Sequence, residues 1–251
     1  MTTAQLRDIP RRSLQNTGYA FVHAAEMRPA LEAVGALPDW DMFAASWGDL
    51  ELDTYLADHG RYRRRRHAVY TVRSDGTVKR QPHQPHHQGE QYNRLFGGVD
   101  RWFAPVRDGV SDGPTMRTIL RFCGALFGDL APDSRVWRAE VHQFRIEARA
   151  EEEGQPTPEG LHRDGVDFVL VLLVQRRNID SGTTTIHGLD REPLGAFTLT
   201  HPFDAALVDD SRVYHGVTPV TPLDRAQPAF RDVLVVTFRK ADGASAPSHS
   251  G

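Results

Sequence analysis

The run at 166–174, VDFVLVLLV, limits the possible folds more than any other stretch of this chain. It is too continuously apolar for a strand with one wet face and too short for a buried helix, so it predicts a core strand covered on both sides. Two more strands follow at short range. Ala206, Leu207 and Val208, then Val213, flank the polar turn Asp209-Asp210-Ser211-Arg212, and the run Val233-Leu234-Val235-Val236 continues from Arg231 and Asp232. Ahead of all three, 137–148 reads WRAEVHQFRIEA and is strand-like as well.

The residues that can carry chemistry sit at the mouth of the first run. On an extended backbone, residues two apart share a face, so His162 and Asp164 can offer an imidazole nitrogen and a carboxylate oxygen to one ion. Gly160 and Gly165 let the flanking backbone bend or approach another group. The strand, turn, strand pattern at 206–213 would return His215 to the same end. Two histidines and one carboxylate leave the remaining metal positions open, as non-haem Fe(II) oxygenases require for cosubstrate and dioxygen. In a chain with 12 histidines a His-x-Asp triplet alone is weak, because a hydrogen-bonded structural pair near a turn has the same signature.

Arg231 adds weight, because a guanidinium opening a strand can grip a carboxylate through two parallel hydrogen bonds. It can also be read as a strand-end arginine paired with Asp224 or Asp232. Arg225 is the rival anchor, in a loop bracketed by Pro222 and Pro228 that would hold its side chain less rigidly.

Together, Pro158-Glu159-Gly160-x-His162-x-Asp164-Gly165, His215-Gly216-Val217-Thr218-Pro219 and Arg231-Asp232-Val233-Leu234-Val235-Val236-Thr237-Phe238 resemble the bacterial Fe(II)/2-oxoglutarate dioxygenases related to L-isoleucine dioxygenase, the biofilm-stress protein homologues among them. The resemblance covers residues 88–240. It implies a mainly β protein with flanking helices, built as a double-stranded β-helix of the jelly-roll, cupin-like kind. It implies His162, Asp164 and His215 as catalytic iron ligands, Arg231 on the distal carboxylate of 2-oxoglutarate, and Fe(II), 2-oxoglutarate and O2 as the reacting set. The implied reaction is hydroxylation of an aliphatic C–H bond of a free L-amino acid or similar small molecule, with release of succinate and CO2. Halogenating relatives lack the carboxylate that Asp164 supplies. Tyr92, with Asn93, Gly97, Gly98 and Arg101, resembles the pattern ahead of the family's barrel and is expected near the substrate. One departure is Ser181-Gly182-Thr183, where a paired-glycine turn is expected. The competing classes are a non-catalytic cupin-like binding protein and a zinc-dependent hydrolase with a three-ligand site.

Composition narrows the rest. A formal charge of −3 gives no general attraction to nucleic acid or anionic lipid. The dense run at 61–66 lacks an aromatic platform, so its arginines are expected to alternate between solvent and internal carboxylates on an edge strand. Cys123 is the only cysteine, which excludes an intrachain disulfide and predicts a small buried hydrophobe. Neither a basic-then-apolar leader nor an apolar span of about 18 residues occurs, which predicts a soluble, cytoplasmic protein without a membrane partner. One dioxygenase domain is expected over 1–240, with helical and strand elements to 130, a jelly-roll core over 135–240 and a disordered tail at 241–251.

Local patterns fill in the remainder. The stretches 2–34 and 40–56 read as partly helical, Asp39 being available to cap the second. The stretch 115–127 reads as an amphipathic helix with Met116, Ile119, Leu120 and Cys123 on one side. The Pro, Gln and His content of 81–93 reads as an exposed loop whose His83, His86 and His87 lack ligand spacing. Along 137–148, Glu140, His142, Phe144 and Ile146 share one face, and Val141, Gln143 and Arg145 the other. A cavity receiving 2-oxoglutarate and a zwitterion needs fixed donors, so Gln143 is expected toward the cosubstrate and Arg145 toward the substrate.

Overall fold

The computed structural model describes residues 3–56, 58, 60–89 and 98–241, with side chains from residue 7 onward. The expectations for Tyr92, Asn93 and Gly97, and for a tail beyond Ala241, fall outside these residues. In chain order the strands are β1 (Tyr19–Val22), β2 (Glu51–Leu52), β3 (Arg63–Arg73), β4 (Val78–Arg80), β5 (Val136–Ala148), β6 (Phe168–Arg177), β7 (Ile179–Ser181), β8 (Thr183–His187), β9 (Pro193–Thr198), β10 (Ala205–Asp209), β11 (Tyr214–Val217), β12 (Val220–Pro222) and β13 (Ala229–Lys240). The helices are α1 (Thr3–Thr17), α2 (Ala24–Glu32), α3 (Trp40–Ala45), α4 (Asp108–Ser111) and α5 (Pro114–Leu130).

One large antiparallel sheet runs β1-β10-β6-β13-β5-β3-β2, with β4 also on β3. Two small sheets, β11-β8-β9 and β12-β7, cover one of its faces. Helices cover the other. Leu170, Leu172 and Val174 of β6 point to the helix side, where they join Val141, Leu234 and Val236 and the apolar face of α5. Val169, Val171 and Leu173 point the opposite way, toward Ile186 of β8 and Phe197 of β9. A strand covered on both sides cannot alternate, which is why the run at 166–174 is apolar throughout. The result is the double-stranded β-helix with flanking helices that the sequence implies.

Helix α5 buries Met116, Ile119, Leu120, Cys123, Leu126 and Phe127 as its periodicity requires. Burial pushes the Cys123 thiol up, so it packs as a hydrophobe. Its cap comes from elsewhere in the chain. Asp39 makes no side-chain cap on α3; its Oδ1 accepts the Thr115 N–H at 2.9 Å and the Thr115 hydroxyl at 2.5 Å in the first turn of α5. Asp39→Ala is expected to lower stability by about 1–2 kcal/mol through α5, read as a lower urea midpoint at unchanged m.

The arginine run lies on β3, which is not an edge: β2 and β4 pair along its outer side. The side chains alternate in direction but not between solvent and interior, since Arg66 is buried like Arg63 and Arg65. Arg63 and Arg65 turn inward to Asp53, while Arg64 meets Glu147 and Arg66 meets Asp49 and Glu51.

Candidate active site

Between β5 and β6 the chain loops along the mouth of the small sheets. There His162 and His215 form an isolated antiparallel pair, each backbone N–H donating to the other's carbonyl at 2.9 Å. This clamps two imidazoles from distant segments side by side, ring centroids 4.5 Å apart. Asp164 is set by a residue the sequence reading treated only as turn. Asp210 accepts the backbone N–H groups of Asp164 (2.8 Å), Gly165 (2.7 Å) and Val166 (3.1 Å). Gly165 supplies the positive φ of 76° that this wrap requires. A second acidic residue immediately after a predicted strand was the available signal for Asp210.

The ligand atoms of His162, Asp164 and His215 lie within 4.8 Å of one another. Asp164 stands between the rings, one oxygen 3.7 Å from His162 Nε2 and the other 3.5 Å from His215 Nε2. Glu159 Oε1 is 3.5 Å from His162 Nε2. His162 Nδ1 donates to the Gly160 carbonyl at 2.9 Å, so in the neutral ring the lone pair of Nε2 faces a carboxylate oxygen. Two acceptors facing each other in a buried place fit a cation between them, and the donor set is one a divalent first-row metal accepts. Without a metal ion, a proton on His162 takes the place of that cation. Burial would raise Asp164, but His162 and His215 hold it down at about 2; burial would lower His162, but Asp164 and Glu159 raise it to about 9. Burial and the charge of His162 push His215 down to about 4. Burial and the charge of Asp164 push Asp210 up.

Arg231 is buried at 2% exposure on the same face of β13 as Val233, Val235 and Thr237. Its Nε and Nη2 have no partner among the described residues. Its cross-strand neighbour on β6 is Arg176, which donates from Nη2 to the carbonyls of Ile179 (3.1 Å) and Ser181 (2.8 Å) and leaves Nη1 unpartnered. Burial first, then Arg176, lowers Arg231 to about 10, so it remains cationic near neutrality. Arg231, buried with no anion against it among the described residues, and the half-buried Arg176 beside it leave spare N–H groups of the kind a carboxylate takes. Asp232 is taken by Arg145 at 2.7 Å and Arg225 is exposed, so neither earlier alternative describes Arg231.

The departure at Ser181 has a geometric answer. Ser181 (φ 60°) and Gly182 (φ 73°) both adopt the left-handed conformation, as a glycine pair would, and the Ser181 carbonyl is thereby aimed at Arg176. A Cβ at Gly182 would lie 2.8 Å from Val220 Cγ1.

A cavity opens beside Asp164, and β5 faces it differently from the expectation. Glu140, His142 and Phe144 line it together with Arg65 of β3 and Val235 of β13. Gln143 and Arg145 point to the helix side instead: Gln143 donates to Ser46 Oγ at 2.7 Å, and Arg145 holds both oxygens of Asp232. His86 is likewise no exposed loop residue. It enters the cavity and donates from Nδ1 to Glu140 Oε2 at 2.7 Å, which also accepts from His67 Nε2 at 3.0 Å. These three residues and His142 group closely enough to resemble a second metal site. Internal hydrogen bonds account for them, since Arg65 Nη2 occupies His142 Nδ1 at 2.6 Å. Burial and the nearby arginines lower His86 to about 4 and lower His142 as well, so arginines carry the positive charge here.

Comparison with known proteins agrees with this geometry. Residues 44–237 match the family model described as 2OG-Fe dioxygenase. The chain is 24% identical to the 3(1)-hydroxy-L-isoleucine 4-dioxygenase of Pantoea ananatis over 242 residues, 93% of this chain and 96% of that enzyme. A solved structure of a bsmA homologue from Methylobium petroleophilum PM1 is 36% identical, with a TM-score of 0.84 over 94% of this chain and 93% of that one. IDO from Bacillus thuringiensis, 20% identical, shares the fold at a TM-score of 0.75 over 93% of this chain and 99% of its own. The extent of the family match, over most of both layers and the loop between them, places this chain in the 2OG-Fe dioxygenase family.

Proposed function

We propose that the protein hydroxylates an aliphatic C–H bond of a free L-amino acid, with His162, Asp164 and His215 holding ferrous iron and Arg231, supported by Arg176, holding the distal carboxylate of 2-oxoglutarate. Members of this family are oxidoreductases that use Fe(II), 2-oxoglutarate and O2 on small molecules. The observation that carries the assignment is the convergence of two imidazoles on one buried carboxylate. The amino-acid substrate is supported by the isoleucine-derived substrate in the name of the Pantoea ananatis relative. A cytoplasmic setting suits an enzyme that consumes 2-oxoglutarate, and no described helix is long and apolar enough to cross a membrane.

Once bound, the iron and 2-oxoglutarate supply the oxidising power, with succinate and CO2 as by-products. The chain supplies placement. His162 and His215 are locked by their mutual backbone pair, and the Gly160 carbonyl fixes the His162 tautomer. Arg231 sets the reach of the cosubstrate, while Phe144, Val166 and Val235 supply the apolar part of a largely polar cavity wall. Asp164 fills with a carboxylate the place a halide would need, which favours hydroxylation.

The test is succinate release from 2-oxoglutarate with Fe(II) and ascorbate across the standard L-amino acids. At least one should raise it well above the substrate-free background; none doing so rejects the amino-acid assignment. Asp210→Ala should weaken metal binding and turnover about 10–100-fold by loosening the Asp164 loop, measured by Co(II) titration and succinate release. Unchanged affinity would remove Asp210 from this role.

A further inference from the structure

We propose that Arg65 and Glu159 are the receptor for the charged head of the prime substrate, Arg65 taking its α-carboxylate and Glu159 its α-ammonium. The inference rests on the amino-acid reading above and goes on to name the residues that select for it.

Arg65 lines the cavity beside Asp164 at 4% exposure. Its guanidinium is clamped between the rings of Phe103, 3.6 Å from the centroid, and Phe144, at 4.4 Å, so both faces are covered and only its edge can bind. That edge is not saturated. Nη1 reaches Asp53 Oδ2 only at 3.5 Å, an oxygen Arg63 already holds at 2.8 Å; Nη2 donates to the neutral His142; Nε has no partner among the described residues. A buried cation with half a counter-ion and spare N–H groups fits a carboxylate.

Glu159 lines the same cavity with the opposite sign. Its Oε1 lies 3.5 Å from His162 Nε2, and its Oε2 is buried with no hydrogen-bond partner among the described residues. A simple anion would satisfy Arg65 and leave Glu159 unmet, and a simple amine would do the reverse. A zwitterion satisfies both. Phe144 and Val235 on the same wall offer apolar surface to an aliphatic side chain. Arg231 is not part of this lining, so the substrate carboxylate and the cosubstrate carboxylate have separate receptors.

The test uses the standard L-amino acid that turns over fastest, together with its α-amide and its N-acetyl derivative. Affinities are measured by anaerobic calorimetry on the metal- and 2-oxoglutarate-loaded protein, and KM by succinate release. In the unaltered protein both derivatives should bind about 10–100-fold more weakly than the free acid. In Arg65→Gln the acid-to-amide ratio should fall toward one while the acid-to-N-acetyl ratio persists, and Glu159→Gln should show the converse. Arg65→Lys, which keeps the charge, gives the same ratio as readout should Arg65→Gln fail to fold. Equal binding of the amide by the unaltered protein, or ratios that neither variant changes, would overturn the inference while leaving amino-acid turnover in place. Absence of turnover with every amino acid would overturn the parent reading, and this one with it.

Discussion

Asp164→Ala is expected to reduce substrate-dependent succinate release by at least about 10³-fold and to abolish tight Co(II) or Fe(II) binding, with little change in folding stability. The asymmetry follows from how the residue is built in. Its carboxylate is the only negative charge inside the triad and stands 3.7 and 3.5 Å from the two imidazoles, so its loss leaves a dication facing two neutral ligands. Its backbone is held independently of that side chain, because the Asp210 carboxylate grips the N–H groups of residues 164–166. Alanine therefore removes the ligand without releasing the loop. Removing the carboxylate also relieves Asp210, whose protonation burial and Asp164 now favour together. An unfolding midpoint close to the parent, with metal binding lost, is the expected pair of results. Full activity in the variant would remove Asp164 from the metal shell.

The parts of this site that could be read in advance are those fixed by local geometry. A buried strand announces itself by a run without alternation, and β6 did so; an i, i+2 pair at its mouth shares a face whatever follows, and His162 and Asp164 did so. What could not be read depends on a second strand. On β5 both faces carry polar residues, so periodicity alone leaves the choice open. The register against β3 decides it, setting Arg65 opposite Phe144 and His67 opposite His142, and thereby collecting the buried polar groups on the cavity side. Gln143 and Arg145 then face Ser46 and Asp232, partners no single strand could reveal. His86 escaped for a related reason: a loop rich in Pro and Gln reads as exposed until Glu140 is seen beneath it. Asp39 illustrates the same limit on capping, since its partner Thr115 lies 76 residues away.

Arg231→Met is expected to raise the KM for 2-oxoglutarate by about 10²-fold or more while the KM for the amino acid stays within about two-fold. Stability gives a second and sharper signature. Without cosubstrate, the protein buries Arg231 beside the like charge of Arg176, and Nε and Nη2 find no partner among the described residues. Such an arrangement opposes folding, so replacing the guanidinium by an apolar side chain of similar length should leave the cosubstrate-free protein equally or more stable. In the parent, 2-oxoglutarate completes the site and stabilises by RT ln(1 + [L]/Kd), about 2.7 kcal/mol at a hundredfold excess over Kd; in the variant that rise should disappear. Arg225→Ala, on the exposed loop before β13, should change neither quantity. The two readouts separate an anchor from a structural arginine. A residue that merely braced the sheet would lower the melting temperature on removal and leave the cosubstrate response intact, and that outcome would move the carboxylate anchor away from Arg231.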